Sequence, residues 1–293
     1  MSYFKRKVQE YTDNYFTYNA EYKKTPVRNF SCLIFRHDMD AISEELFYRF
    51  IDKEKGSGSQ ASLFFRVVQF KKLKEAIKRI DRKQHEIGLH SEANPWLIPS
   101  RPEFAKVIEI MYRNKLQKQF KEAAFFSGLA LSGHSPHAFH NYLPFKSMMS
   151  WMIIEKASLG VVDYLSDWKI PSRVPQGQDF PFCYEAPYRV EIRASSMAVF
   201  QTCWDDKFFF TPEEYESRGI KKDRRSLEDG FESVKRHIDN CVRRNHPMVI
   251  NLHPYLWFED DRYLQFKCLL RDYCQANKIQ IMNFREYLRR VDL

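Results

Sequence analysis

Glycine is scarce in this chain, nine in 293 residues, and none falls into a GxGxxG or P-loop pattern. Backbone amides that cradle a pyrophosphate need such runs, so the sequence argues against a nucleotide cofactor held that way and against phosphoryl transfer. The six cysteines, Cys32, Cys183, Cys203, Cys241, Cys268 and Cys274, form no CxxC pair. That spacing argues against a disulfide framework and a thiolate zinc site, and fits reduced thiols. No run reaches the roughly 20 apolar residues of an integral membrane segment. The opening Met1-Ser2-Tyr3-Phe4-Lys5-Arg6-Lys7 also lacks the uninterrupted apolar stretch of a secretory signal, so the expectation is a cytoplasmic protein. A dominant basic block is missing too. The net charge of +9 comes from 47 Lys and Arg against 38 Asp and Glu, and the cluster Lys221, Lys222, Arg224, Arg225 adjoins acids. It reads as a solvated face, with no nucleic acid implied.

What is present is a repeated alternation of short β-rich runs with longer helical ones, the pattern of parallel strands joined by helices in a barrel or wound sheet. The length suits one α/β domain spanning 1–293, with an N-terminal extension over 1–28. Strands are expected over 31–36, 61–67, 85–90, 128–133, 160–165, 198–204, 247–253 and 278–284. Helices are expected over 42–53, 70–81, 102–122, 144–157, 227–244 and 261–275. Two stretches break the rhythm, 170–193 with its prolines and 208–225 with its charges, and both read as loop excursions of the kind that carry substrate contacts.

The polar residues that matter fall at the C-terminal ends of expected strands, where parallel α/β folds place their sites. Phe35-Arg36-His37-Asp38-Met39-Asp40 comes first. Period-two alternation points Asp38 and Asp40 to one side, and two acids so placed persist when a cation or proton sits between them. Asp40 as the N-cap of a helix beginning near Ile42 is the competing reading. Arg36 shares that face and would keep Asp38 ionised. His90 closes the third strand, His134 and His137 follow the fourth, Ser166-Asp167-Trp168 the fifth, and Asn251-Leu252-His253-Pro254 a late one.

These phrases resemble the NodB-type polysaccharide deacetylases, carbohydrate esterase family 4, and more narrowly its WbmS-like branch. The elements are Arg36 to Asp40, Phe64-Phe65-Arg66, His85-Glu86-Ile87-Gly88-Leu89-His90-Ser91-Glu92 and Leu252-His253-Pro254. The resemblance implies an irregular (β/α) barrel of about seven parallel strands and a metal-dependent hydrolase that removes an N-acetyl or O-acetyl group from a sugar. The substrate would be a nucleotide- or lipid-linked intermediate of surface polysaccharide biosynthesis. Asp38 would be the general base, with Asp40 and His90 holding a divalent metal, zinc first and cobalt, nickel or manganese as alternatives. The family's further histidine, four residues after His90, is replaced by Asn94. His134 is the preferred substitute, with Asn94, Glu92 and His137 as alternatives. His253 would protonate the leaving amine and Asp167 would orient it. Two other readings stay open: an inactive barrel that binds glycan, and a C–N hydrolase acting on a non-sugar amide.

Overall fold

The computed structural model describes residues 22–40, 42–91, 105–136, 144–167, 186–192, 194–206, 226–256 and 262–291, without the side chains of 144–150, 167 and 256. Its framework is a ring of parallel strands. In chain order the strands are β1 (Lys23–Pro26), β2 (Cys32–Asp38), β3 (Ala61–Phe65), β4 (His85–Ser91), β5 (Gly133–Pro136), β6 (Tyr164–Asp167), β7 (Tyr188–Ile192), β8 (Ser195–Gln201), β9 (Trp204–Asp205), β10 (Met248–Leu252) and β11 (Gln280–Met282). The helices are α1 (Glu44–Ser57), α2 (Val67–Lys72), α3 (Lys74–Lys78), α4 (Ala105–Ser127), α5 (Pro144–Ser158), α6 (Leu227–Arg244), α7 (Arg262–Ala276) and α8 (Phe284–Arg290).

The strands run in the order β1-β7-β8-β6-β5-β4-β3-β2-β10-β9, with β11 also paired to β2. Strand β8 pairs with β6, and after a bend at Thr202-Cys203 the same stretch pairs with β10 as β9. Cys203 N donates to the Val249 carbonyl at 2.8 Å inside that bend. Residues 195–205 thus act as one bent strand that bridges β6 to β10 and completes the ring. Among the described residues, counting β8 and β9 together, seven parallel strands close the ring and the short parallel β11 adds an eighth beside β2, which is the (β/α) barrel the sequence led us to expect. The antiparallel β1 and β7 extend the sheet beside β8.

Period-two alternation sorts each strand between two cores. On β2, Leu33 and Phe35 face the helices, while Ile34 faces the ring interior with Phe64, Tyr164, Phe200, Phe284 and Tyr287. The same alternation sends Arg36 and Asp38 inward and His37 outward, where it meets Phe50 of α1 and Tyr263 of α7. The aromatic filling needs two strand glycines. A Cβ on Gly88 would sit 2.5 Å from the Phe64 ring, and one on Gly133 would run into the Tyr164 ring.

Helix α6 has the expected bounds, because Ser226 and Asp229 form a capping box at one end and Asn245 takes the left-handed conformation at the other. Helix α1 is capped by Ser43, whose hydroxyl accepts from Leu46 N at 3.2 Å, so capping is not the task of Asp40. The strand expected over 128–133 begins only at Gly133. Helix α4 persists to Ser127, and Gly128, with φ 69°, ends it. The helix expected over 70–81 starts earlier and is broken in two at Leu73. The strand expected to end at Phe284 ends at Met282, because Asn283 caps α8. Strand β7 emerges from the first loop excursion, and the second, 208–225, lies outside the described residues.

Candidate active site

At the C-terminal ends of β2, β4, β9 and β10, one cluster collects the buried Arg36, Asp38, His90, Asp205, Asp206, Asn251 and His253 and the partly buried Asp40. The turn that carries Asp40 is pinned from two sides. Met39 N donates to the Phe64 carbonyl at 2.9 Å, and the Gln69 side chain of α2 donates to the Met39 carbonyl.

Arg36 grips Asp38 with a fork: Nη2 is 2.9 Å from Oδ1 and 2.8 Å from Oδ2, and Nε is 3.2 Å from Oδ1. The guanidinium is itself anchored on Thr202 Oγ1 at 2.9 Å and Ser135 Oγ at 2.5 Å. Burial alone would push the Asp38 carboxyl up. Arg36, with His90 and His253, holds it instead far below the usual carboxylate range. Asp38 is itself only 4% exposed, and these charges favour its ionised form.

His90 turns Nδ1 to the Ser135 carbonyl at 3.0 Å, which makes that nitrogen the donor and aims Nε2 at Asp40, 3.6 Å from Oδ2. A divalent transition metal binds imidazole and carboxylate at about 2.0–2.2 Å, so two donors at this separation fit one ion. Asp40 and His90 therefore suit a divalent metal as two ligands. Burial disfavours a charged His90, yet Asp38 and Asp40 together hold its pKa above the usual histidine value.

His134 is not brought to this place. Parallel register pairs it with Leu89, a helix-facing residue, and pairs Ser135 with the inward His90. Its Nε2 meets Ser91 Oγ at 2.8 Å and its Nδ1 meets Ser158 Oγ at 3.1 Å, with Phe120 of α4 beside the ring. The expectation that it supplies the third metal ligand fails on strand parity: one residue along β5, the side chain changes face. Glu92, Asn94 and His137 lie outside the described residues.

His253 lies 3.8 Å through Nε2 from Asp38 Oδ2. Its partner on the other side is Asp206, whose Oδ1 is 2.6 Å from Nδ1 and whose Oδ2 accepts from the His253 backbone N at 2.6 Å. Asp205 Oδ1 is 3.7 Å from the same Nδ1. Burial opposes the imidazolium, but Asp205, Asp206 and Asp38 raise its pKa to about 9. Burial pushes Asp205 up to about 6. Asp205, Asp206 and His253 also form a compact buried group of metal-ligating type.

Asp167 was expected to orient His253. It ends β6 opposite Gln201, and its side chain lies outside the described set. The carboxylates found on His253 are Asp205 and Asp206, which the sequence reading passed over. Their signal was available, because an Asp-Asp pair directly follows the strand expected to end at Trp204.

Asn251 stands between Arg36 and Asp205 in the cross-strand register of β2, β10 and β9. Its Nδ2 donates to Asp38 Oδ2 at 3.0 Å and to Asp205 Oδ2 at 2.8 Å. Chemically the cluster brings a carboxylate held ionised, an imidazole held charged and a facing Asp–His pair that fits a cation to one mouth.

No family model matches the sequence, and no curated protein does so. Solved structures do share the fold. A putative polysaccharide deacetylase from Mycobacterium smegmatis matches with a TM-score of 0.63 at 13% identity, over 92% of this chain and 93% of that one. Puue allantoinase matches with a TM-score of 0.58 at 12% identity, over 89% and 90% of the two chains. Likeness at these identities establishes the architecture: this chain has the barrel of the NodB-type deacetylases.

Proposed function

We propose that this chain is a metal-dependent hydrolase that removes an N-acetyl or O-acetyl group from a sugar. The observation that carries the reading is the 3.8 Å approach of Asp38 to His253, beside the facing Asp40 and His90. Hydrolysis of an amide needs a base for the attacking water and an acid for the leaving amine. Asp38, kept ionised by Arg36, takes the proton from water. His253, kept charged by Asp206, delivers a proton to the departing nitrogen. Asp40 and His90 would hold the divalent ion, zinc first with cobalt, nickel or manganese as alternatives. When bound, such an ion supplies Lewis acidity, bringing the pKa of water from about 15.7 to near 7.

The substrate we favour is a nucleotide- or lipid-linked sugar of surface polysaccharide assembly, handled in the cytoplasm by a single-domain enzyme. Among the described residues no helix is long and apolar enough to cross a membrane. The barrel's likeness to an allantoinase keeps a non-sugar C–N bond as the second reading, since a pocket and not a fold selects substrate.

The test is metal content by mass spectrometry, followed by acetate release from a panel of N-acetylated nucleotide sugars, with allantoin as the non-sugar control. We expect about one divalent ion per chain, acetate release by the wild type, and loss of both in Asp40→Ala. A metal-free wild-type protein whose ligand binding and turnover are the same in Asp40→Ala ends the enzymatic reading. Glycan binding without acetate release, in a metal-loaded protein, would point to the inactive barrel.

A further inference from the structure

Asp38 and His253 stand close together in a buried space. A direct hydrogen bond between them would occupy each with the other and leave neither free for water or substrate. Yet Asp38 Oδ2 and His253 Nε2 remain 3.8 Å apart, beyond hydrogen-bond reach.

The Asn251 amide lies where it can keep that gap open. Its Nδ2 donates to Asp38 Oδ2, the same oxygen that faces His253, at 3.0 Å. Its second proton goes to Asp205 Oδ2 at 2.8 Å, and Asp205 Oδ1 in turn faces His253 Nδ1 at 3.7 Å. One amide nitrogen thereby ties the Asp38 carboxylate to the Asp205 carboxylate beside His253. The register makes this a built arrangement, since Arg36, Asn251 and Asp205 are Cα partners across three adjacent parallel strands. The amide has one workable orientation. Its buried Oδ1 meets no hydrogen-bond donor among the described residues, and a flipped amide would point that oxygen at two carboxylates.

We propose that Asn251 is a positioning residue that keeps Asp38 and His253 from closing into a direct hydrogen bond, leaving both to face water and substrate. The inference rests on the hydrolase reading for its consequence in turnover, but the spacing it describes is a property of the fold. A shorter or donor-free side chain at 251 should let His253 Nε2 move onto Asp38 Oδ2.

The experiment is a crystal structure and steady-state kinetics of Asn251→Ala, with Asn251→Ser as the second variant should the first not fold. We expect the Nε2–Oδ2 distance to fall below about 3.2 Å, a hydrogen bond. We also expect kcat to drop about 100-fold, at the lower end of what general acid–base catalysis contributes, with KM and metal content near wild type. A residue that only stabilises the fold would lower the melting temperature without closing the gap or splitting kcat from KM. A gap that stays open in the variant, or a variant kcat equal to that of a wild type that does hydrolyse its substrate, overturns the proposal. A gap that closes in a protein whose wild type hydrolyses nothing leaves the spacer intact and ends the hydrolase reading alone.

Discussion

Asp206 holds His253 by two separate atoms, its Oδ1 on the ring Nδ1 and its Oδ2 on the backbone N, both at 2.6 Å. A carboxylate bonded this way fixes the ring's rotation, places its proton-bearing Nε2 toward Asp38, and favours the charged ring.

Asp206→Asn keeps the shape and removes the charge. A histidine acting as a proton donor works below its folded pKa, about 9 here, and activity is lost as pH rises through that value. In the variant the alkaline limb of the kcat profile should move to lower pH, and kcat near neutrality should fall about 10²-fold or more. A pH–rate profile reads both; an unmoved alkaline limb means that His253 is not the group that titrates.

Arg36→Met strips the guanidinium from Asp38 in a place closed to water. Removing one member of a buried pair typically costs about 3–5 kcal/mol, and denaturant unfolding should show a loss of that order. As the proposed base Asp38 would work ionised, so activity should be lost as pH falls through its folded pKa. Without Arg36, the first of the charges that hold this carboxyl down, the acid limb should shift to higher pH.

Metal retention separates the histidines. His90→Ala should lose most of the bound ion, whereas His134→Gln should keep it, because His134 bonds Ser91 and Ser158 on the helix side of β5. Mass-spectrometric metal content after dialysis decides the matter. Equal losses in the two variants would put His134 back into the coordination set.

These buried histidines should make acid weaken the fold above the ordinary carboxylate range. Burial lowers the pKa of His37 and of His134 to about 3 and that of His85 to about 4, against 6.5 for the free side chain. Between those values the unfolded chain binds protons that the native chain refuses, so stability is present above pH 6.5 and lost as pH falls. Each group contributes about 2 kcal/mol of loss between pH 7 and pH 5. Urea midpoints at the two pH values measure it, and His134→Gln should shrink the difference by its share. Equal midpoints in the wild type would mean that these imidazoles are protonated in the folded state.

The barrel, and the shared face of Arg36 and Asp38 at its mouth, were legible in the order of residues, because both rest on local rules. Alternation of β-rich and helical runs sets parallel strands, and period two along β2 puts Arg36 and Asp38 on one face whatever the rest of the chain does. Ser226, Asp229 and Asn245 bound α6 by interactions within a few residues, so its limits could be read directly. Tertiary structure decided everything that depends on how one strand slides against the next. Register gave His90 the neighbour Ser135 and turned His134 outward, a shift of one residue that no local pattern specifies. The bend at Thr202-Cys203 carried Asp205 and Asp206 across to β10 and onto His253, a choice made by ring closure among strands about 50 residues apart. Sequence sets which side chains are available at the strand ends; hydrogen-bonded pairing between distant strands decides which of them meet.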